Sequence, residues 1–132
     1  AAHANQEIAV FAMIETADGL ANLDEICSTP GLTGVYIGPA DLSYALGLPP
    51  KTDSEEPAHV AAVARIVETC KRHGIVAGIH TGGPAFSRRC IEQGMGLVTL
   101  TSDVVAMTAG AGRMLRQFRG EEPLDGESRG PY

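Results

Sequence analysis

Two acidic side chains stand where this chain changes character. Glu15 follows a β-branched run over 8–14, and Asp41 follows a second run, 35–37, across the corner Gly38-Pro39-Ala40. They lie 26 residues apart, one strand-plus-helix unit, and adjacent parallel strands run only about 4.8 Å from each other. Carboxylates at two neighbouring strand ends could therefore converge on a hard divalent cation such as Mg2+ or Mn2+, with the remaining coordination left to water and substrate. The competing reading is that Glu15 caps the helix after it and Asp41 opens a turn, since acids are common near helix N-termini. The corner adds chemistry of its own. Gly38 lets the backbone approach a ligand closely, and the N–H groups of Ala40 and Asp41 could face an anion such as a carboxylate.

The other strand-end candidates are His80, Thr81 and the turn 101–103. His80 could touch a second substrate, or serve as a structural hydrogen-bonder. Thr81-Gly82-Gly83 before a helix reads as a weak phosphate cradle or as a tight turn. Ser102 and Asp103 read as caps of the last helix, Tyr36 and Met13 as packing residues, and the acidic run 53–56 as a solvated helix entry. The two lysines, Lys51 in a long loop and Lys71 at a helix end, stand at no strand terminus. That placement disfavours Schiff-base chemistry.

These positions presuppose an alternating framework. Four short apolar runs (8–14, 35–37, 75–79 and 97–100) each end in a polar or glycine-rich turn. Helix patterns follow at 17–27 (Leu20, Leu23, Ile26, Cys27), 58–73 (Val60, Val63, Val67, Cys70), from Pro84, and from the Thr101/Ser102 cap to about 118. Gly74 ends the second of these behind Lys71, Arg72 and His73, which suit the negative end of its dipole. Between 38 and 57 a turn and a long proline-rich loop are expected. The alternation predicts an α/β fold, a parallel sheet covered by helices, with functional groups at the carboxyl ends of the strands.

Composition narrows the partners. Ten Lys+Arg against sixteen Asp+Glu leave a formal charge of −6, which argues against nucleic acid or an anionic membrane surface. Hydrophobic residues make up 44% and charged residues 20%, as in ordinary globular domains. No apolar run approaches the roughly 20 residues of a membrane span, and no basic-then-apolar leader opens the chain. Cys27, Cys70 and Cys90 fit neither a disulfide framework nor a zinc pattern and are expected as buried thiols in a reducing cytoplasm.

Met13-Ile14-Glu15-Thr16, the stretch 31–35, Gly38-Pro39-Ala40-Asp41-Leu42 and Ala77-Gly78-Ile79-His80 together resemble the HpcH/HpaI aldolase family. These are class II, metal-dependent pyruvate aldolases related to the citrate lyase β subunit, and the likeness runs from about residue 5 to 119. The resemblance implies the C-terminal half of a (β/α)8 TIM barrel over 1–120, followed by a polar tail, 121–132. It implies Glu15 and Asp41 as metal ligands for Mg2+, Mn2+ or Co2+. The N–H groups of Ala40 and Asp41, beside Gly38, would hold the keto-acid carboxylate. The implied activity is a carbon–carbon lyase that forms or cleaves 4-hydroxy-2-keto acids through a pyruvate enolate, with pyruvate and an aldehyde as partners. The family's catalytic arginine and histidine belong to the first half, and no residue here matches them. Since a whole barrel takes about 250 residues, the expectation is a piece of a longer protein or a homo-oligomer that pairs exposed sheet edges. Two alternatives accompany this reading: a non-catalytic half-barrel assembly piece and a citrate-lyase-like acyl-CoA lyase.

Overall fold

The computed structural model describes residues 3–121, so most of the expected polar tail lies outside the described residues. The chain divides into two units, Ala1–Leu100 and Thr101–Tyr132. In the first, β1 (Phe11–Ile14), β2 (Gly34–Ile37), β3 (Val76–His80) and β4 (Leu97–Thr99) pair in chain order, every pair parallel. Helices α1 (Ala4–Glu7), α2 (Ala17–Ala21), α3 (Leu23–Cys27), α4 (Pro39–Ala45), α5 (Pro57–His73) and α6 (Pro84–Glu92) accompany them. The second unit holds α7 (Asp103–Phe118), capped as expected by Ser102, whose Oγ accepts the Val105 N–H at 3.3 Å.

The two faces of the sheet differ sharply. Ile14, Ile37 and Ile79 stand in register, and with Val35 and Ala77 they are fully or almost fully buried. They share one core with Leu20 and Leu23, Val63, Ile66 and Cys70 of α5, and Cys90 of α6. Each Ile, Leu and Val among them contributes about 1.5–3 kcal/mol by leaving water. The opposite face carries Phe11, Met13, Tyr36, Val76 and Leu97 by alternation, and there Met13 is 56% and Leu97 38% exposed. A parallel sheet normally has both faces covered. In this unit one face is bare.

Glycines on the bare face let strands and rings come close. A Cβ at Gly34 would overlap the Val76 carbonyl and the Phe11 ring. A Cβ at Gly78 would lie 3.0 Å from Tyr36 Cδ2 and 3.2 Å from Leu97 Cβ. Gly78 thus leaves room for the Tyr36 ring, whose hydroxyl hydrogen-bonds Thr99 Oγ1 on β4 at 2.5 Å.

Local chemistry shifts several expected boundaries. The helix expected over 17–27 breaks at Asn22 (φ −99°, ψ 20°), whose amide donates to the Asp18 carbonyl at 2.9 Å, a side chain competing with the helix ladder. β1 starts at Phe11 rather than at 8; the Val10 N–H is taken by Thr33 Oγ1 at 2.9 Å. Residues 39–45, expected as turn and loop, form α4, with Pro39 at its first turn and Leu42 and Ser43 buried. On α5 the buried face is His59, Val63, Ile66, Thr69 and Cys70, while Val60 is exposed. Gly74 caps α5 in the left-handed region (φ 67°), which glycine adopts without strain.

The three cysteines are free and buried, as expected. Burial pushes the Cys70 thiol up to about 12 and raises Cys27 and Cys90 as well, so these thiols stay protonated. Asp24 on α3 pairs with Arg72 and His73 on α5, each at 3.0 Å. The hydrogen bond from His73, joined by Arg72, holds the Asp24 carboxyl below its ordinary value. Among the described residues no helix is long and apolar enough to cross a membrane.

Candidate functional site

Glu15 comes one residue after Ile14 at the carboxyl end of β1. Ile14 turns to the helices, so Glu15 turns to the bare face, opposite the position after Ile37, which is Gly38. The contact is intimate. A Cβ built on Gly38 would overlap Glu15 Oε2 and come within 3.3 Å of Glu15 Cβ. The carboxylate occupies the space a side chain at 38 would fill, which is the physical reason for glycine at this corner.

Gly38 is also the N-cap of α4, and Asp41 lies in that helix's first turn. Leu42 donates its N–H to the Gly38 carbonyl at 2.8 Å, closing the turn. Leu42 and Ser43 are sunk in the core, which fixes the rotation of α4 and leaves Asp41 on its exposed side. The structure thus lays Glu15 on the residue that opens the helix bearing Asp41. Among the described residues neither carboxylate takes part in an ion pair. No cluster of three or more His, Cys, Asp or Glu side chains that could hold a metal occurs among them. Glu15 and Asp41 are carboxylates, a donor type that suits hard ions such as Mg2+, which keep several waters.

His80 ends β3, half-buried and opposite Thr99. Alternation from Ile79 puts it on the same face as Tyr36 and Glu15. Thr81 is fully buried: its N–H and Oγ1 both reach the Thr99 carbonyl at 3.0 Å, and its Oγ1 also meets Ser87 Oγ. The Gly82 N–H is taken by Asp53 Oδ1 at 2.7 Å. The turn that resembled a phosphate cradle is thus filled by the chain's own carboxylate. The acidic run 53–56 is correspondingly more than a solvated entry, since Glu55 pairs with Arg89 at 2.7 Å. Met13, expected to pack, is exposed on the bare face, whereas Tyr36 both packs on Gly78 and hydrogen-bonds Thr99.

One participant escaped the sequence reading. His59, 1% exposed in the first turn of α5, hydrogen-bonds the Pro39 carbonyl at 3.2 Å. Its spacing was a usable signal, because 59, 63, 66 and 70 form one helical face. Cavities of about 430 Å3 along α5 and α6 and about 470 Å3 beside Lys51 and Pro84 are lined by neither Glu15, Gly38, Asp41 nor His80.

Residues 2–109 match the model of the HpcH/HpaI aldolase/citrate lyase family. The chain belongs to that family. Among curated relatives of this HpcH/HpaI chain, a hydroxypyruvate/pyruvate aldolase of Rhizorhabdus wittichii is 38% identical over 118 residues, covering 89% of this chain and 47% of the relative. A 2-keto-3-deoxy-L-rhamnonate aldolase of Klebsiella pneumoniae is 32% identical over 120 residues, with 91% and 44% covered. A solved HpcH/HpaI aldolase/citrate lyase family protein from Burkholderia cenocepacia superposes with a TM-score of 0.78 at 31% identity, covering 86% of this chain and 44% of that one. The HpcH/HpaI aldolase of Desulfitobacterium hafniense gives 0.77 at 27%, with 92% and 46% covered. The chain spans about half the length of the relatives it matches, and its four parallel βα units correspond to half of a TIM barrel.

Proposed function

We propose that this chain supplies the metal- and keto-acid-binding half of a class II aldolase, a carbon–carbon lyase that forms or cleaves 4-hydroxy-2-keto acids. The observation that supports it most is the Glu15 carboxylate lying on Gly38, at the start of the helix that bears Asp41. Glu15 and Asp41 would hold Mg2+, Mn2+ or Co2+, which when bound supplies Lewis-acid polarisation of a 2-keto oxygen. The chain's own groups do the rest of the binding. The first turn of α4 has no side-chain cap at Gly38, so the N–H groups of Ala40 and Asp41 are suited to the keto-acid carboxylate. His80, at the same sheet end, would contact the aldehyde. Pyruvate is the favoured keto acid, given the names of the relatives. No residue of this chain is assigned the proton transfers, which the family resemblance gives to an arginine and a histidine of the other half-barrel.

The test is the thermal midpoint with and without Mn2+, in the wild type and in Glu15→Gln and Asp41→Asn. A rise confined to the wild type supports the reading, and an equal rise in both variants refutes it. In the longer protein, release of pyruvate from a 4-hydroxy-2-keto acid, as against cleavage of an acyl-CoA, separates the aldolase from the citrate-lyase-like lyase.

A second reading, an assembly piece without catalysis, is favoured by the bare sheet face, where Met13 is 56% exposed. Light scattering tests it together with the proposed homo-oligomer: a folded, stable monomer opposes self-assembly. The proposed location is the cytoplasm, in keeping with three buried free thiols.

A further inference from the structure

We infer that His59 is a positioning residue for Asp41: it clamps the Pro39 carbonyl and so holds the first turn of α4 in the geometry that metal binding requires. The inference rests on the metal reading above and adds to it a residue that touches neither ligand.

The geometry carries it. Helix α4 is seven residues long and opens on a glycine that supplies no side-chain cap. A helix this short has little stability of its own, so its first turn must be fixed from outside. Two groups from different parts of the chain converge on one atom there. Ser43 Oγ donates to the Pro39 carbonyl at 2.9 Å from within the helix, and His59 Nε2 lies 3.2 Å from the same oxygen, twenty residues on. A carbonyl can only accept, so Nε2 carries the proton. His59 and Ser43 are 1% and 0% exposed, which spares both bonds competition from water. Asp41 itself is exposed and makes no ion pair with a described residue, so its place relative to Glu15 follows from the backbone two residues earlier. Burial also lowers the His59 pKa, favouring the neutral ring.

The experiment titrates Mn2+ into the full chain by calorimetry and follows amide exchange at Leu42, whose N–H closes the first turn of α4 on Gly38. His59→Leu removes the donor, His59→Gln restores an N–H near the ε position, and Val63→Ala destabilises the same buried face of α5 without touching Pro39. The expected result is that His59→Leu weakens Mn2+ binding roughly 10-fold, the scale seen for residues that orient metal ligands, and speeds Leu42 exchange. His59→Gln recovers most of the affinity. Val63→Ala lowers the thermal midpoint and leaves Mn2+ affinity at the wild-type value. If His59→Leu binds Mn2+ as tightly as the wild type, or if Val63→Ala weakens binding as much, the positioning role is overturned while the metal site stands. If Asp41→Asn binds like the wild type, the metal reading itself falls and takes this inference with it.

Discussion

The end of β1 and β2 and the end of β3 and β4 are built from the same materials, a short apolar strand, a glycine and an acid, yet they are finished differently. At the β3–β4 end Thr81 and the Gly82 N–H find partners within the chain. Thr81 is held by Thr99 and Ser87, and Gly82 by Asp53. At the β1–β2 end the Glu15 carboxylate rests on a bare glycine and Asp41 points outward, neither in an ion pair with a described residue. Polar groups that satisfy one another stabilise the fold; groups held in place but left unsatisfied are what a ligand can use. Position at a strand end therefore does not by itself mark function. The partner list does.

Breaking this contrast should have its largest effect at Gly38. Gly38→Ala would put a methyl where the Glu15 carboxylate lies, so the carboxylate must swing away from the corner. The expected outcome is loss of the Mn2+-dependent rise in thermal midpoint, read by differential scanning fluorimetry. At the paired end, Thr81→Val removes a buried hydroxyl shared by two partners, at about 1–3 kcal/mol. Urea unfolding should show that loss with the Mn2+ response intact, and a lost response would erase the proposed division of labour.

The division was only partly legible in the residues. Isoleucines at 14, 37 and 79 announce buried strands, and Gly74 behind Lys71-Arg72-His73 announces a helix end, because each signal is local. Glu15 and Asp41 stood out since both follow strands. The Asp53–Gly82 and His59–Pro39 bonds did not, because they join residues 29 and 20 apart through tertiary packing, and no spacing rule reaches that far. Helix α4 was missed for a related reason. Its burial falls on Pro39, Leu42 and Ser43, too short a stretch to show a period.

Smaller effects sharpen the picture. Burial lowers the His59 pKa below 6.5, so below pH 6.5 the unfolded chain binds a proton that the folded chain resists. Folding stability should therefore fall as pH drops through and below that value, and His59→Gln should lose this part of the pH dependence in urea titrations from pH 7.5 to 5. Gly83→Ser places a capping hydroxyl at the start of α6, in extended backbone with open space around it; a gain of about 0.5 kcal/mol is expected in the same assay. Glu55→Gln, which loosens an exposed pair with Arg89, should change stability by less than about 0.5 kcal/mol.

The ring of Tyr36 has a practical use. The chain contains no tryptophan, and among the described residues Tyr36 and Tyr44 are the tyrosines, the latter 75% exposed. Tyr36 is tethered through its hydroxyl to β4, a strand of three residues at the edge of the sheet. Its aromatic circular dichroism therefore reports whether that edge is attached, and fraying of β4 would register there while the helical signal stayed unchanged.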